Sequence, residues 1–212
     1  MTEASLWQQG LAQMPLMAIL RGIRPEEVLD VATALQKAGF LWLEIPLNSP
    51  DPLIGIRRMR ERFDGALLIG AGTVLTPAEV EAVHEAGAQF VVSPNTNPAV
   101  IRATKALGLL SSPGFATPTE AFTALEAGAD ALKLFPGEAT PPSALRAMKV
   151  VLPSKVPVFV VGGVTPVTMA DYVAAGAAGF GMASSVYKAG DSPGAVYERA
   201  QAFVGAWRGV RR

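Results

Sequence analysis

The stretch EAGADALKLFP, residues 126–136, decides the fold. A helical segment stops at Ala127-Gly128 and an apolar run follows at once. The same junction recurs as KAGFLWLEI (37–45), EAGAQFVVS (85–93), KALGLLSSP (105–113) and AAGAAGFGM (174–182). Its glycines, Gly39, Gly87, Gly108, Gly128 and Gly176, stand 48, 21, 20 and 48 residues apart, so a unit spans 20–24 residues and 48 is two units. Glycine at such a position supplies the left-handed backbone that commonly ends a helix.

The opposite junction repeats too. Thr76-Pro77-Ala78-Glu79 and Thr117-Pro118-Thr119-Glu120 read as capping boxes with proline at the first helical position. Asn97-Pro98 and Thr165-Pro166 open helices in the same way without the glutamate. Helices are predicted to begin near residues 25, 51, 77, 98, 118, 142 and 166, with a last one over 193–208. Between them lie eight apolar runs, at 16–20, 40–45, 67–70, 89–92, 108–111, 130–134, 156–161 and 178–182. A further helix over 4–13 precedes the first run. Alternating strands and helices predict a parallel sheet with right-handed crossovers. Eight units favour an α/β fold closed into a (β/α)8 TIM barrel with an additional N-terminal helix, residues 1–212 forming a single domain. A doubly wound open sheet is the alternative.

Composition narrows the function. Half of the 212 residues are hydrophobic and 17% are charged, which suits strands covered by helices on their outer face. The formal net charge is zero, so no basic excess points to nucleic acid or to a membrane surface. The Arg57–Arg62 run reads as a solvated helix face. With no cysteine and a single histidine, His84, sites of the Cys/His zinc type and the multi-histidine metal sites are excluded, and no metal or other cofactor is expected. No signal-peptide pattern opens the chain, and no apolar run reaches membrane-spanning length. A cytoplasmic enzyme is the expectation.

In a barrel of this kind the chemistry sits at the carboxyl ends of the strands. Charged residues inside apolar strands are therefore the candidates. Lys133, flanked by Leu132 and Leu134 in strand six, should lose part of its charge through desolvation and become a nucleophile toward a carbonyl. The alternative is a lysine whose stem is buried and whose head reaches water or a carboxylate. Glu44 closes the run Leu41-Trp42-Leu43-Glu44-Ile45 in strand two and could act as its acid/base partner. A structural salt bridge, to Lys133 itself or elsewhere, is the competing reading. The Gly162-Gly163 turn after strand seven and Ser184-Ser185 after strand eight fit a phosphate cradle. Arg21, just past strand one, is an anion-binding candidate that could equally form a surface salt bridge. Gly70-Ala71-Gly72-Thr73 offers close backbone approach and one hydroxyl, or only a tight turn.

These residues resemble those of the 2-keto-3-deoxy-6-phosphosugar-acid aldolases. The resemblance runs from AILRGI (18–23) to VYKAG (186–190), through EIPLNSP (44–50), LIGAGTVL (68–75), SPN (93–95), PGFATPTEAFTALEAGADALKLFP (113–136), VGGVTP (161–166) and GMASS (181–185). It implies reversible cleavage of a phosphorylated keto acid to pyruvate and D-glyceraldehyde 3-phosphate, with Lys133 forming the Schiff base and Glu44 moving protons. It implies further that Arg21, Thr73, Gly162, Gly163 and Ser184 bind the substrate's anionic groups, and that the chain assembles as a homotrimer. The family's two branches differ in the C4 epimer. EIPLNSP and Val161 resemble the galactonate branch, whereas the gluconate branch resembles EVTLRT with threonine before the glycines. Asn48 thus stands where that branch carries arginine, and Arg21 is expected to supply the charge. GMASS departs from the galactonate-branch GLGSD, with Ala183 at a glycine position and Ser185 at an aspartate position. Two other functions stay open: a phosphosugar isomerase or epimerase, which needs no covalent lysine, and a non-catalytic phosphosugar-binding barrel.

Overall fold

Alternation along the strands organises the molecule. In the computed structural model, which describes residues 3–210, the strands are β1 (Leu16–Ile19), β2 (Trp42–Pro46), β3 (Leu68–Gly72) and β4 (Phe90–Val92). The fifth, β5, runs in two segments, Leu110–Ser112 and Gly114–Phe115, and is followed by β6 (Leu132–Leu134), β7 (Val158–Val161) and β8 (Gly179–Met182). Every pairing is parallel, each strand joining its neighbours in chain order, with β8 beside β1. The first segment of β5 pairs with β4 and the second with β6, so the ring closes through Pro113, whose carbonyl accepts from Lys133 N–H at 2.9 Å. The result is a (β/α)8 barrel.

The helices are α1 (Glu3–Gln13), α2 (Val28–Ala38), α3 (Pro52–Phe63), α4 (Pro77–Glu85), α5 (Pro98–Ala106), α6 (Pro118–Glu126), α7 (Pro142–Val151), α8 (Met169–Ala174) and α9 (Pro193–Val210). Both capping boxes form: Thr76 and Thr117 each accept from the backbone of a glutamate that reaches back to them. All five junction glycines adopt φ between 76° and 111°. Two helix starts differ from expectation. α2 begins at Val28 rather than near 25, because Glu27 ties the Arg24 backbone and guanidinium into a separate turn. α8 begins at Met169 rather than near 166, because the Thr165 and Thr168 hydroxyls close their own turn first. Strand five continues past the predicted end at 111 to Phe115. No described helix is long and apolar enough to cross a membrane.

Side-chain parity divides the core in two. Leu43, Ile45, Ile69, Val91, Leu132, Leu134, Val158 and Val160 pack outward into the large cluster beneath the helices. Met17, Trp42, Leu68, Phe90, Ala131 and Phe159 point into the barrel and pack with Leu6 and Trp7 of α1. The same period of two puts Glu44 on the Trp42 side of β2 and Lys133 on the Ala131 side of β6. Helix α1 closes the amino-terminal end: Trp7 stacks on Trp42 with ring centroids 4.5 Å apart, and Phe159 meets the Trp42 ring edge-on at 5.5 Å. Gly10 lets the helix settle there, since a Cβ at that position would stand 2.2 Å from the Trp42 ring.

A Gly10→Leu variant should therefore lift α1 from the barrel end and lower unfolding stability by roughly 1–3 kcal/mol, the usual cost of overpacking. Urea denaturation followed by tryptophan fluorescence checks this; unchanged stability and emission would mean that α1 is not held by this contact.

Candidate active site

Glu44 and Lys133 enter the barrel from strands that are far apart in sequence. Glu44 is 1% exposed and Lys133 6% exposed. They line a narrow cleft of about 10 Å³ together with Ile19, Val92, Phe159 and Val161. No ion pair joins them among the described residues, and Glu44 Oε2 is buried without a hydrogen-bond partner. Apart from Ser112, the wall around both groups is apolar. Burial raises the Glu44 pKa to about 7, opposed by the positive charges of Lys133 and Arg21. Burial pushes the Lys133 amine down, opposed by Glu44 and assisted by Arg21. The Lys133 Nζ lies 5.0 Å from the centre of the Phe135 ring, two residues further along the chain.

Room for the carboxylate comes from Gly72. A Cβ there would stand 1.6 Å from Glu44 Oε2, so no other residue fits while Glu44 keeps this position. The close backbone approach expected of the GAGT segment is thus an approach to Glu44.

A second cavity, of about 330 Å³, opens outward from Lys133 at the carboxyl ends of β1, β6, β7 and β8. It shares Ile19, Lys133, Val161 and Gly181 with the cleft. Arg21, Gly162, Gly163 and Ser184 all line it, so the structure brings four of the expected binding residues to one opening around Lys133. Gly162 and Gly163 have φ of 103° and 68°, and Cβ atoms there would strike the Glu138 side chain. Arg21 is exposed and forms no ion pair among the described residues. Thr73 follows Gly72 with a left-handed φ of 58° and lines neither cavity.

Phe135, Thr165 and Lys188 also border the wide cavity and were not singled out as site residues in the sequence. Phe135 was within reach, because it directly follows the strand that carries Lys133. Lys188 falls within the VYKAG stretch but, as an exposed lysine in a loop, does not by residue type mark a site. Ser185, noted for its place in GMASS, lines the cavity as well.

Fold and site together define a (β/α)8-barrel enzyme with a desolvated amine and carboxylate at its carboxyl mouth. The chain belongs to the KDPG and KHG aldolase family, whose model matches residues 8–192. It is 48% identical over 202 residues to the 2-dehydro-3-deoxy-6-phosphogalactonate aldolase of Escherichia coli strain K12, covering 95% of this chain and 97% of that one. The solved structure of native KDPGal superposes with a TM-score of 0.92 at 48% identity, covering 93% of this chain and 96% of the other. A chain in a cube-shaped protein cage, designed by fusing symmetric oligomeric domains, matches with a TM-score of 0.91 at 48% identity, covering 92% of this chain and 73% of that one.

The Glu44 environment has a consequence for stability. Its pKa is about 7 in the folded chain against an ordinary 4.5, so the folded state holds the proton more tightly. The stabilisation this gives is complete below pH 4.5 and is lost as pH rises to about 7. Glu44→Gln cannot ionise, so it should gain stability over the parent across that window by roughly 3 kcal/mol. Urea titrations of both proteins between pH 4 and 8 measure the difference; a constant offset would mean that Glu44 is not desolvated as described.

Proposed function

We propose that the protein is a class I aldolase that cleaves 2-dehydro-3-deoxy-6-phospho-D-galactonate to pyruvate and D-glyceraldehyde 3-phosphate. One observation carries the reading: a buried amine, Lys133, stands beside a buried and unpaired carboxylate, Glu44, at the base of an open cationic cavity. Neutral Lys133 attacks the C2 ketone, and loss of water from the carbinolamine gives an iminium. Glu44 removes the C4 hydroxyl proton, directly or through one water. The C4–O electrons form the aldehyde carbonyl while the C3–C4 pair flows toward the iminium nitrogen, leaving an enamine. Protonation at C3 and hydrolysis release pyruvate and restore the amine.

Substrate class and epimer rest on further support. Arg21 and the Gly162, Gly163 and Ser184 rim suit a substrate with an anion at each end. Val161 lines both cavities and has no hydroxyl to offer, which fits the galactonate branch that the sequence resembles. A C4 hydroxyl turned toward it would be left without a partner, at a cost of about 1–3 kcal/mol.

Borohydride treatment in the presence of pyruvate, followed by mass spectrometry, tests the mechanism. A reduced pyruvyl adduct on Lys133 is expected, absent in Lys133→Met, while Glu44→Gln should trap slowly and turn over poorly. Absence of any adduct on folded protein would overturn the aldolase reading in favour of a phosphosugar isomerase.

Trimeric assembly belongs to the same proposal, supported by the family resemblance and by the use of a similar chain as a symmetric oligomeric domain. Sedimentation equilibrium should give three times the chain mass of 22.1 kDa; a monomer or dimer mass at micromolar concentration would refute it.

A further inference from the structure

Charge in the wide cavity is one-sided. Only Arg21, Lys133 and Lys188 among its lining residues are charged, and all three are cations. They come from different segments. Arg21 lies two residues past Ile19, which is in register with Glu44 on β2, and Lys133 stands in β6. Lys188 sits on the loop after β8 that also brings Ser184 and Ser185 to the cavity. We propose that Lys188 is the cation that receives the substrate's phosphate, and that it sets the preference for phosphorylated over unphosphorylated keto acids. The identity of the substrate rests on the aldolase reading; the phosphate contact itself does not.

The loop is built to present this side chain. Asp191 Oδ2 accepts the Lys188 N–H at 2.6 Å, and Asp191 N–H donates back to the Lys188 carbonyl at 3.0 Å, closing a tight turn. The same Asp191 carboxylate is held by the Arg199 guanidinium. The nearest acid in sequence is therefore already engaged, and the Lys188 ammonium forms no ion pair among the described residues. Ala189 packs where a side chain on Gly22 would begin, 3.2 Å from that Cβ position, which fixes the loop beside the segment carrying Arg21. Ser184 and Ser185 add hydroxyls without negative charge. An ammonium on a flexible stem, with hydroxyls and the exposed turn at Gly162-Gly163 on the same cavity wall, suits a phosphate rather than a planar carboxylate.

The test uses Lys188→Met, which keeps the aliphatic stem, and Lys188→Arg. Calorimetric titration with inorganic phosphate should show affinity reduced about tenfold in the methionine variant, the usual scale for losing a charge-assisted contact. The KM for the phosphorylated acid should rise by a similar factor, that for its unphosphorylated analogue should not, and pyruvate trapping on Lys133 should match the parent. Arginine should restore most of the phosphate affinity. Unchanged phosphate affinity in Lys188→Met, or an equal rise in KM for both acids, would overturn the proposal. If the parent itself takes up no pyruvate, the aldolase reading fails, and the phosphate titration still decides the role of Lys188.

Discussion

Removal of Glu44 and Lys133 from water is the constraint on which the site depends. Either group alone in this apolar interior would be costly as an ion, so each shifts toward its neutral form: the carboxyl upward to about 7, the amine downward. The attraction between them works against both shifts and is too weak to cancel them, because they do not touch. A direct ion pair would have locked the amine as ammonium and left no nucleophile. Separation by a narrow cleft keeps each group available to a third participant placed between them.

Such an arrangement survives only if the surroundings cannot relax to bring the groups together. Parallel strands on every side fix their backbone, with β1 and β3 flanking Glu44 and β5 and β7 flanking Lys133. The Trp7, Trp42 and Phe159 rings fill the barrel on the α1 side of these residues. Gly72 completes the enclosure from the adjoining strand by giving the carboxylate the volume a Cβ would occupy. Stability at one end of the barrel and reactivity at the other are thus parts of one packing problem. The aromatic plug supplies apolar burial where the carboxyl mouth leaves polar groups without partners.

Much of this was legible in the chain, for reasons that differ by element. The junction glycines and capping boxes are local devices, readable from a few neighbouring residues, and they behave as expected. Glu44 and Lys133 stood out because a charge inside an apolar strand has few stable explanations. Arg21, Gly162, Gly163 and Ser184 meet around Lys133 because the fold carries all strand ends to one face. What escaped depends on contacts distant in sequence or on competition between side chains. Closure at Pro113 requires knowing which strands flank the break. The late start of α8 reflects two threonine hydroxyls outcompeting helical bonding. Thr73, legible as a hydroxyl in a glycine-rich turn, lines neither cavity but follows Gly72, which borders Glu44. Lys188 is not marked by residue type, because an exposed lysine becomes informative only when its neighbours across the loop are known.

The two cavities also divide the work physically. The cleft between Glu44 and Lys133 is nearly closed, so charge developing there meets little water, and fixed groups act on it with little screening. The outer cavity is wide and bordered by cations and hydroxyls. An extended dianion can keep its phosphate in the outer cavity while its C2 ketone reaches Lys133, and the C1 carboxylate, one bond from C2, stays on the side of the outer cavity and its cations. Binding energy gained at the distant phosphate then offsets the cost of placing a ketone against a desolvated amine. That separation explains why the reacting pair can be so poorly solvated while its ligand is strongly charged: the groups that attract the ligand and the groups that transform it occupy different dielectric surroundings, joined at Lys133 and Val161.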